Sequence, residues 1–127
     1  MHVVIVGGGA IGRLFGYYLA REGNQVSIVD TDPASVDALN SHGIEFMGVG
    51  ETNPDAFSQV PVTATGEASQ VKSCDLVLLT VKSSSTSAAA RAVAHLVSEE
   101  VPLLSLQTGL GNIEILEEIL PAKSVLG

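Results

Sequence analysis

The sequence predicts an α/β protein whose parallel sheet is covered by helices on both faces, for two reasons. Apolar runs of strand length recur at 3–6, 26–29, 75–81 and 102–106, and most are separated by segments of helical period. The run Asp75–Val81 is almost continuously apolar beyond its first residue, as expected of a parallel strand buried on both faces. Right-handed crossovers then connect the strands.

From the N-terminus, Val3–Val6 reads as the first strand and ends at Gly7. Gly7, Gly9 and Gly12 follow with the spacing G-x-G-x-x-G. Gly7 suits a tight turn, Gly9 leaves room for a pyrophosphate, and Gly12 lets a helix pack closely on the strand. Ile11, Leu14, Phe15, Tyr18 and Leu19 carry the helical period, and Gly23-Asn24 ends it. The second strand, Val26–Val29, closes on Asp30, about 20 residues beyond the glycines, where a carboxylate can accept from a ribose diol. A pyrophosphate would rest on unpaired N–H groups at the helix start, where the helix dipole favours an anion. A glycine-rich turn alone would be weak evidence. Strand, helix and acid in register make it a dinucleotide-binding unit with a Rossmann-like doubly wound parallel sheet.

Thr31-Asp32-Pro33 starts a second helix, with Val36 and Leu39 on one face and an end near His42-Gly43. Ile44–Met47 reads as a third strand, 48–59 as loop, Val60–Thr65 as a short edge strand, and 66–73 as at most a short helix. After Asp75–Val81 comes Lys82, then Ser83-Ser84-Ser85-Thr86, which can cap a helix running to about Val97. Pro102–Leu106 is a further strand, closed by Gln107-Thr108-Gly109-Leu110-Gly111-Asn112. Ile113, Leu116, Ile119 and Leu120 lie on a last helix, and Ser124–Gly127 begins another strand.

At 127 residues, with 46% hydrophobic and 16% charged residues, the chain suits one globular domain. No apolar run approaches the roughly 20 residues that span a bilayer, and no basic segment precedes the first apolar run as in a signal peptide. A net charge of −8 argues against nucleic acid and anionic membranes as partners. The single cysteine, Cys74, excludes an internal disulfide and reads as a structural thiol, and Lys72 matches no motif. His2, His42 and His95 lack metal-ligand spacing, so no metal site is expected. The expected location is cytoplasmic.

Three blocks in order carry a resemblance that covers essentially the whole chain: Gly7-Gly8-Gly9-Ala10-Ile11-Gly12, Leu79-Thr80-Val81-Lys82 with Thr86, and Leu106-Gln107-Thr108-Gly109-Leu110-Gly111. On these the sequence resembles the N-terminal domain of the ketopantoate reductase (2-dehydropantoate 2-reductase) family, enzymes of pantothenate biosynthesis. The resemblance implies hydride transfer from a nicotinamide cofactor to a small 2-keto acid. It also implies that Gly7, Gly8, Gly9, Ala10, Ile11 and Gly12 hold the pyrophosphate, and that Val81, Lys82 and Thr108 border the cofactor and substrate cleft. Asp30 and Thr31 fall at the adenosine ribose.

The sequence departs from the family pattern at three points. Asp30, Thr31 and Asp32 stand where the family often has an arginine for the 2′-phosphate, so NAD(H) is favoured over NADP(H). Thr108 stands where the family has asparagine, offering a hydroxyl in place of an amide. The family's helical C-terminal domain, which supplies the acid lysine, has no counterpart in residues 1–127. The expectation is therefore a dinucleotide-binding domain cut from a longer enzyme, with no catalytic residue of its own, that binds cofactor without turnover. A homo-oligomer stays open. The alternatives are a non-catalytic NAD(H)-sensing domain and the N-terminal domain of a sugar-phosphate dehydrogenase.

Overall fold

A computed structural model describes residues 1–47, 52–53 and 57–127. Its elements run β1 (His2–Val6), α1 (Ala10–Arg21), β2 (Gln25–Val29), α2 (Pro33–His42), β3 (Ile44–Met47), β4 (Phe57–Val60), β5 (Thr63–Thr65), β6 (Leu76–Leu79), α3 (Thr86–Val93), β7 (Leu103–Ser105), α4 (Asn112–Ile119) and β8 (Val125–Leu126). Six strands form one sheet in the order β5-β2-β1-β6-β7-β8, and every pairing in it is parallel. Strand order reverses between β1 and β6, the arrangement expected of a doubly wound fold.

Four local expectations change. Ile44–Met47 is a strand, but it pairs antiparallel with β4 outside the main sheet. Val60–Thr65 divides at Pro61-Val62, because proline offers no N–H to a ladder; only Thr63–Thr65 forms the sheet edge beside β2. The expected loop 48–59 includes 48–51 and 54–56, which lie outside the described residues, while Phe57–Gln59 belong to β4. The helix expected to reach Val97 ends at Val93, and a turn follows in which the Leu96 N–H bonds the Val93 carbonyl.

Alternation along the strands gives two cores. Val4, Val6, Val77, Leu79, Leu103 and Val125 pack with α3 and α4 through Ala90, Val93, Leu116 and Leu120. Val3, Ile5, Val26, Ile28 and Leu78 pack with Tyr17, Leu39, Ile44 and Val60 on the other face. Tyr17 stacks on Phe46 at 4.6 Å between ring centroids, which seats the β3–β4 pair against α1.

The helix α1 does not bury its apolar stripe. Gly12, Gly16 and Tyr17 face the core, whereas Ile11, Phe15 and Tyr18 are 48%, 41% and 46% exposed. The face of the sheet that α1 covers is also incomplete. Registered neighbours Ile28, Ile5, Leu78, Leu104 and Leu126 form one row across it. Ile28 and Ile5 are fully buried, and exposure rises to 50% at Leu126.

Two glycines let α1 reach β1. Gly7 has φ +112°, which an L-side chain adopts poorly, and a Cβ on Gly12 would run into the Gly7 carbonyl. Replacing Gly12 with alanine should therefore cost about 1–3 kcal/mol through overpacking, read as a lower urea midpoint at unchanged m-value.

Candidate functional site

The ends of β1, β2 and β6 meet at the glycine loop. Its backbone is held from several sides: Gly7 N–H donates to the Val29 carbonyl at 2.9 Å, and the Thr80 hydroxyl donates to the Gly7 carbonyl at 2.8 Å. Gly8 N–H donates to Asp30 Oδ2 at 2.9 Å, and Arg13 Nε donates to the Gly8 carbonyl at 2.7 Å. Gly8 is buried, and a Cβ there would meet Asp30 Oδ2 at 2.5 Å. Gly9 is the N-cap of α1; it is exposed, and open space lies where a side chain would stand. The N–H groups of the first turn, beginning at Ala10, have no intrahelical acceptor, so the loop ends in donors with positive partial charge.

Asp30 is oriented by the backbone. Oδ2 accepts from Gly8 N–H, and Oδ1 accepts from Asp32 N–H at 2.9 Å. An ionised carboxylate offers about four acceptor positions, so roughly two remain for hydroxyl donors. Asp32 in turn caps α2, accepting from Ala34 N–H at 3.2 Å. Beside Asp30 opens a mainly apolar cleft of about 240 Å³. Gly7, Asp30, Thr31 and Val81 line it together with Gly66, Ala68, Ser85, Ala88, Ala89 and Ala92. The last six were not singled out from sequence. For Ser85, Ala88 and Ala89 the signal was the run of small residues Ser83–Ala90, which keeps the wall of α3 low; Gly66, Ala68 and Ala92 lie outside that run.

The third predicted block is braced by side-chain hydrogen bonds. Gln107 Nε2 donates to the Val81 carbonyl at 3.0 Å and to Thr86 Oγ1 at 2.8 Å, while the Ser105 hydroxyl donates to Gln107 Oε1 at 3.0 Å. Thr86 is fully buried, within 2.9 Å of the Ser83 carbonyl and 3.1 Å of Asn112 Oδ1. Asn112 Nδ2 donates to the Thr108 carbonyl at 3.1 Å, and Ser83 Oγ donates to the same carbonyl at 3.0 Å. This network fixes the loops after β6 and β7 relative to each other. Lys82 and Thr108 lie exposed on those loops, outside the apolar cleft. Among the described residues nothing pairs with the Lys82 ammonium. The structure thus gathers Gly7, Asp30, Thr31 and Val81 around one cleft, sets Gly8, Gly9, Ala10, Ile11 and Gly12 on the loop and helix start beside it, and leaves Lys82 and Thr108 outside it on the exposed loops after β6 and β7.

A larger groove of about 450 Å³ lies elsewhere, lined by His2, Gln25, Ser27, Thr63, Thr65 and Lys72 among others. It opens at the starts of β1 and β2, whereas ligands of such sheets bind beyond the strands' carboxyl ends. Its polar groups also bond one another, with His2 Nε2 2.8 Å from Ser27 Oγ and Ser27 Oγ 3.0 Å from Thr63 Oγ1. Cys74 is half-buried against the core; burial pushes its thiol pKa up, a backbone hydrogen bond from Leu76 lowers it, and Asp75 raises it. No group of metal-ligating side chains and no helix long and apolar enough to cross a membrane occurs among the described residues.

The family model described as ketopantoate reductase PanE/ApbA matches residues 3–127. A 2-dehydropantoate 2-reductase of Pyrococcus abyssi is 38% identical over 112 residues, which is 88% of this chain and 34% of that protein. Among solved structures, a PanE/ApbA family ketopantoate reductase from Ralstonia eutropha superposes with TM-score 0.85 at 34% identity, covering 98% of this chain and 40% of that one. D-mandelate dehydrogenase, solved with NADH and anilino(oxo)acetate, superposes with TM-score 0.82 at 25% identity, covering 98% and 39%. The chain therefore spans well under half the length of these relatives.

The buried network yields a stability prediction. Thr86→Val should leave Gln107 Nε2 and Asn112 Oδ1 each short of a partner, at a cost of about 1–3 kcal/mol. Denaturant unfolding of the variant beside the parent protein checks it.

Proposed function

The chain belongs to the ketopantoate reductase family, and on that premise we propose that residues 1–127 are the dinucleotide-binding domain of an oxidoreductase that uses NAD(H) in preference to NADP(H) and reduces a small 2-keto acid. The observation that carries this reading is the Asp30 carboxylate, fixed by Gly8 and Asp32 N–H at the mouth of an apolar cleft. The residues fit a dinucleotide. The donors at the start of α1 suit a pyrophosphate, Asp30 suits a ribose diol, and the cleft walled by Ala88 and Ala89 suits an apolar ring face.

When bound, the nicotinamide would supply the hydride. This chain's residues bind and orient. The glycine loop takes the phosphates, Asp30 and Thr31 the ribose, and Val81 and Lys82 the edge of the cleft. Lys82, whose ammonium has no partner among the described residues, offers a cation to an approaching carboxylate or phosphate. Thr108 offers a hydroxyl at the position of the family asparagine, so the keto acid would be recognised with one partner changed.

The family resemblance implies a helical domain that completes the substrate site. The exposed end of that row at Leu126 and the outward stripe of α1 support it, because apolar surface on both would be removed from water beneath a second layer. Among the described residues no lysine or histidine lines the cleft to serve as a proton donor, and residues 1–127 alone should show negligible NADH oxidation with ketopantoate or pyruvate. A pure NAD(H) sensor would share the glycine loop and Asp30. It would not need the buried Gln107–Thr86–Asn112 network that presents Lys82 and Thr108 on adjoining loops.

Cofactor titration tests the proposal. NADH should bind more tightly than NADPH, and Asp30→Ala should weaken NADH by about ten- to a hundred-fold, the effect of losing a charge-assisted hydrogen bond. Gly9→Val should abolish binding while circular dichroism stays unchanged, because its side chain would fill open space and meets no core atom. Equal or tighter binding of NADPH would contradict the preference.

A further inference from the structure

We propose that Arg13 is a positioning residue of the phosphate cradle, one that sets the plane of the Gly8–Gly9 peptide and ties it to the ribose side of the site. This inference rests on the dinucleotide reading above. Arg13 lies half-buried in the first turns of α1, immediately after the third glycine of the fingerprint. Its Nε donates to the Gly8 carbonyl at 2.7 Å, and its Nη2 donates to Ser35 Oγ on α2 at 2.8 Å.

In a trans peptide the C=O and N–H point in opposite directions, and the described residues contain no cis bond. With its carbonyl drawn onto Arg13, the Gly8–Gly9 unit turns the Gly9 N–H away from the arginine. Gly9 is the exposed N-cap, and no backbone acceptor takes its N–H among the described residues. One residue earlier the same device recurs. The Thr80 hydroxyl holds the Gly7 carbonyl at 2.8 Å, and the Gly8 N–H on the other side of that peptide reaches Asp30 at 2.9 Å. Two successive carbonyls are thus pinned by side chains, and the opposing N–H groups are delivered one to the ribose carboxylate and one to the phosphate position.

Arginine suits this role for its shape. No carboxylate pairs with it among the described residues; its partners are a carbonyl and a hydroxyl on two different elements. The planar guanidinium can engage both at fixed angles, whereas an ammonium is a single point donor. Through Ser35, in the first turn of α2 just beyond Asp30 and Asp32, the loop and the acid are held in one frame.

The test compares the parent protein with Arg13→Met, Arg13→Lys and Ser35→Ala. NADH and ADP are titrated calorimetrically, and the Gly9 amide is followed by ¹H–¹⁵N NMR during the ADP titration. Arg13→Met should weaken both ligands by about tenfold or more, the effect of losing a hydrogen bond made by a charged donor. The displacement of the Gly9 amide signal by ADP should shrink with it, which a general loss of stability would not produce. Ser35→Ala and Arg13→Lys should fall between the parent and Arg13→Met, in that order. These two variants decide the matter if Arg13→Met does not fold. Parent-like affinity in all variants, or weaker binding with the full Gly9 response, overturns the proposal. Failure of the parent protein to bind NADH or ADP would instead overturn the dinucleotide reading, and this one with it.

Discussion

The close approach of α1 to the end of β1 is the constraint on which the rest of the site depends. Gly12 lies against the Gly7 carbonyl with no room for a methyl group, and the Thr80 hydroxyl closes the same gap from β6. That contact aims the N-terminus of α1 beyond the carboxyl ends of the strands, where the sheet order reverses. It also brings Gly8 N–H within reach of Asp30 just past β2, so three strands converge on one short loop. A side chain at Gly12 would have to move the helix, and with it every donor the helix start presents. The cost would fall on stability and on the geometry of the cradle together.

Much of this was legible in the sequence because each feature has a local signature. The glycine spacing, the apolar runs and the acid closing β2 determine backbone shape over a few residues, and the structure places them as expected. The features that were not legible depend on partners distant in the chain. Ile44–Met47 has strand composition, but nothing in it says that its partner is Phe57–Val60 and not the main sheet. The stripe Ile11, Leu14, Phe15, Tyr18 has helical period, yet period alone does not say which side faces the core. Here the glycine side does, because the helix packs too close for larger residues. Gln107 and Thr86 matched family blocks, but their role as a buried brace between the loops after β6 and β7 emerges only when α3 and α4 are seen side by side. Arg13 carried no signal in a glycine motif whose third glycine precedes it.

Electrostatics in this chain works at short range. With a net charge of −8, the whole surface offers no attraction to a dinucleotide, so affinity must come from groups that touch it. On the proposed reading, helix-start N–H groups, one oriented carboxylate and Lys82 would supply those contacts, and none of them requires a basic surface. On the proposed cofactor preference, Asp30 and Asp32 would act against an additional phosphate by repulsion as much as by attraction.

The central claim is that the loop Gly7–Gly12, Asp30 and the small-residue cleft of α3 form a single dinucleotide site. A crystal structure of the protein with NADH bound tests it most directly. The account predicts the pyrophosphate on the N–H groups at the start of α1, the adenosine ribose hydroxyls on Asp30, and the adenine against Ala88 and Ala89. A nucleotide bound at the opposite edge of the sheet, or one whose ribose avoids Asp30, would contradict it.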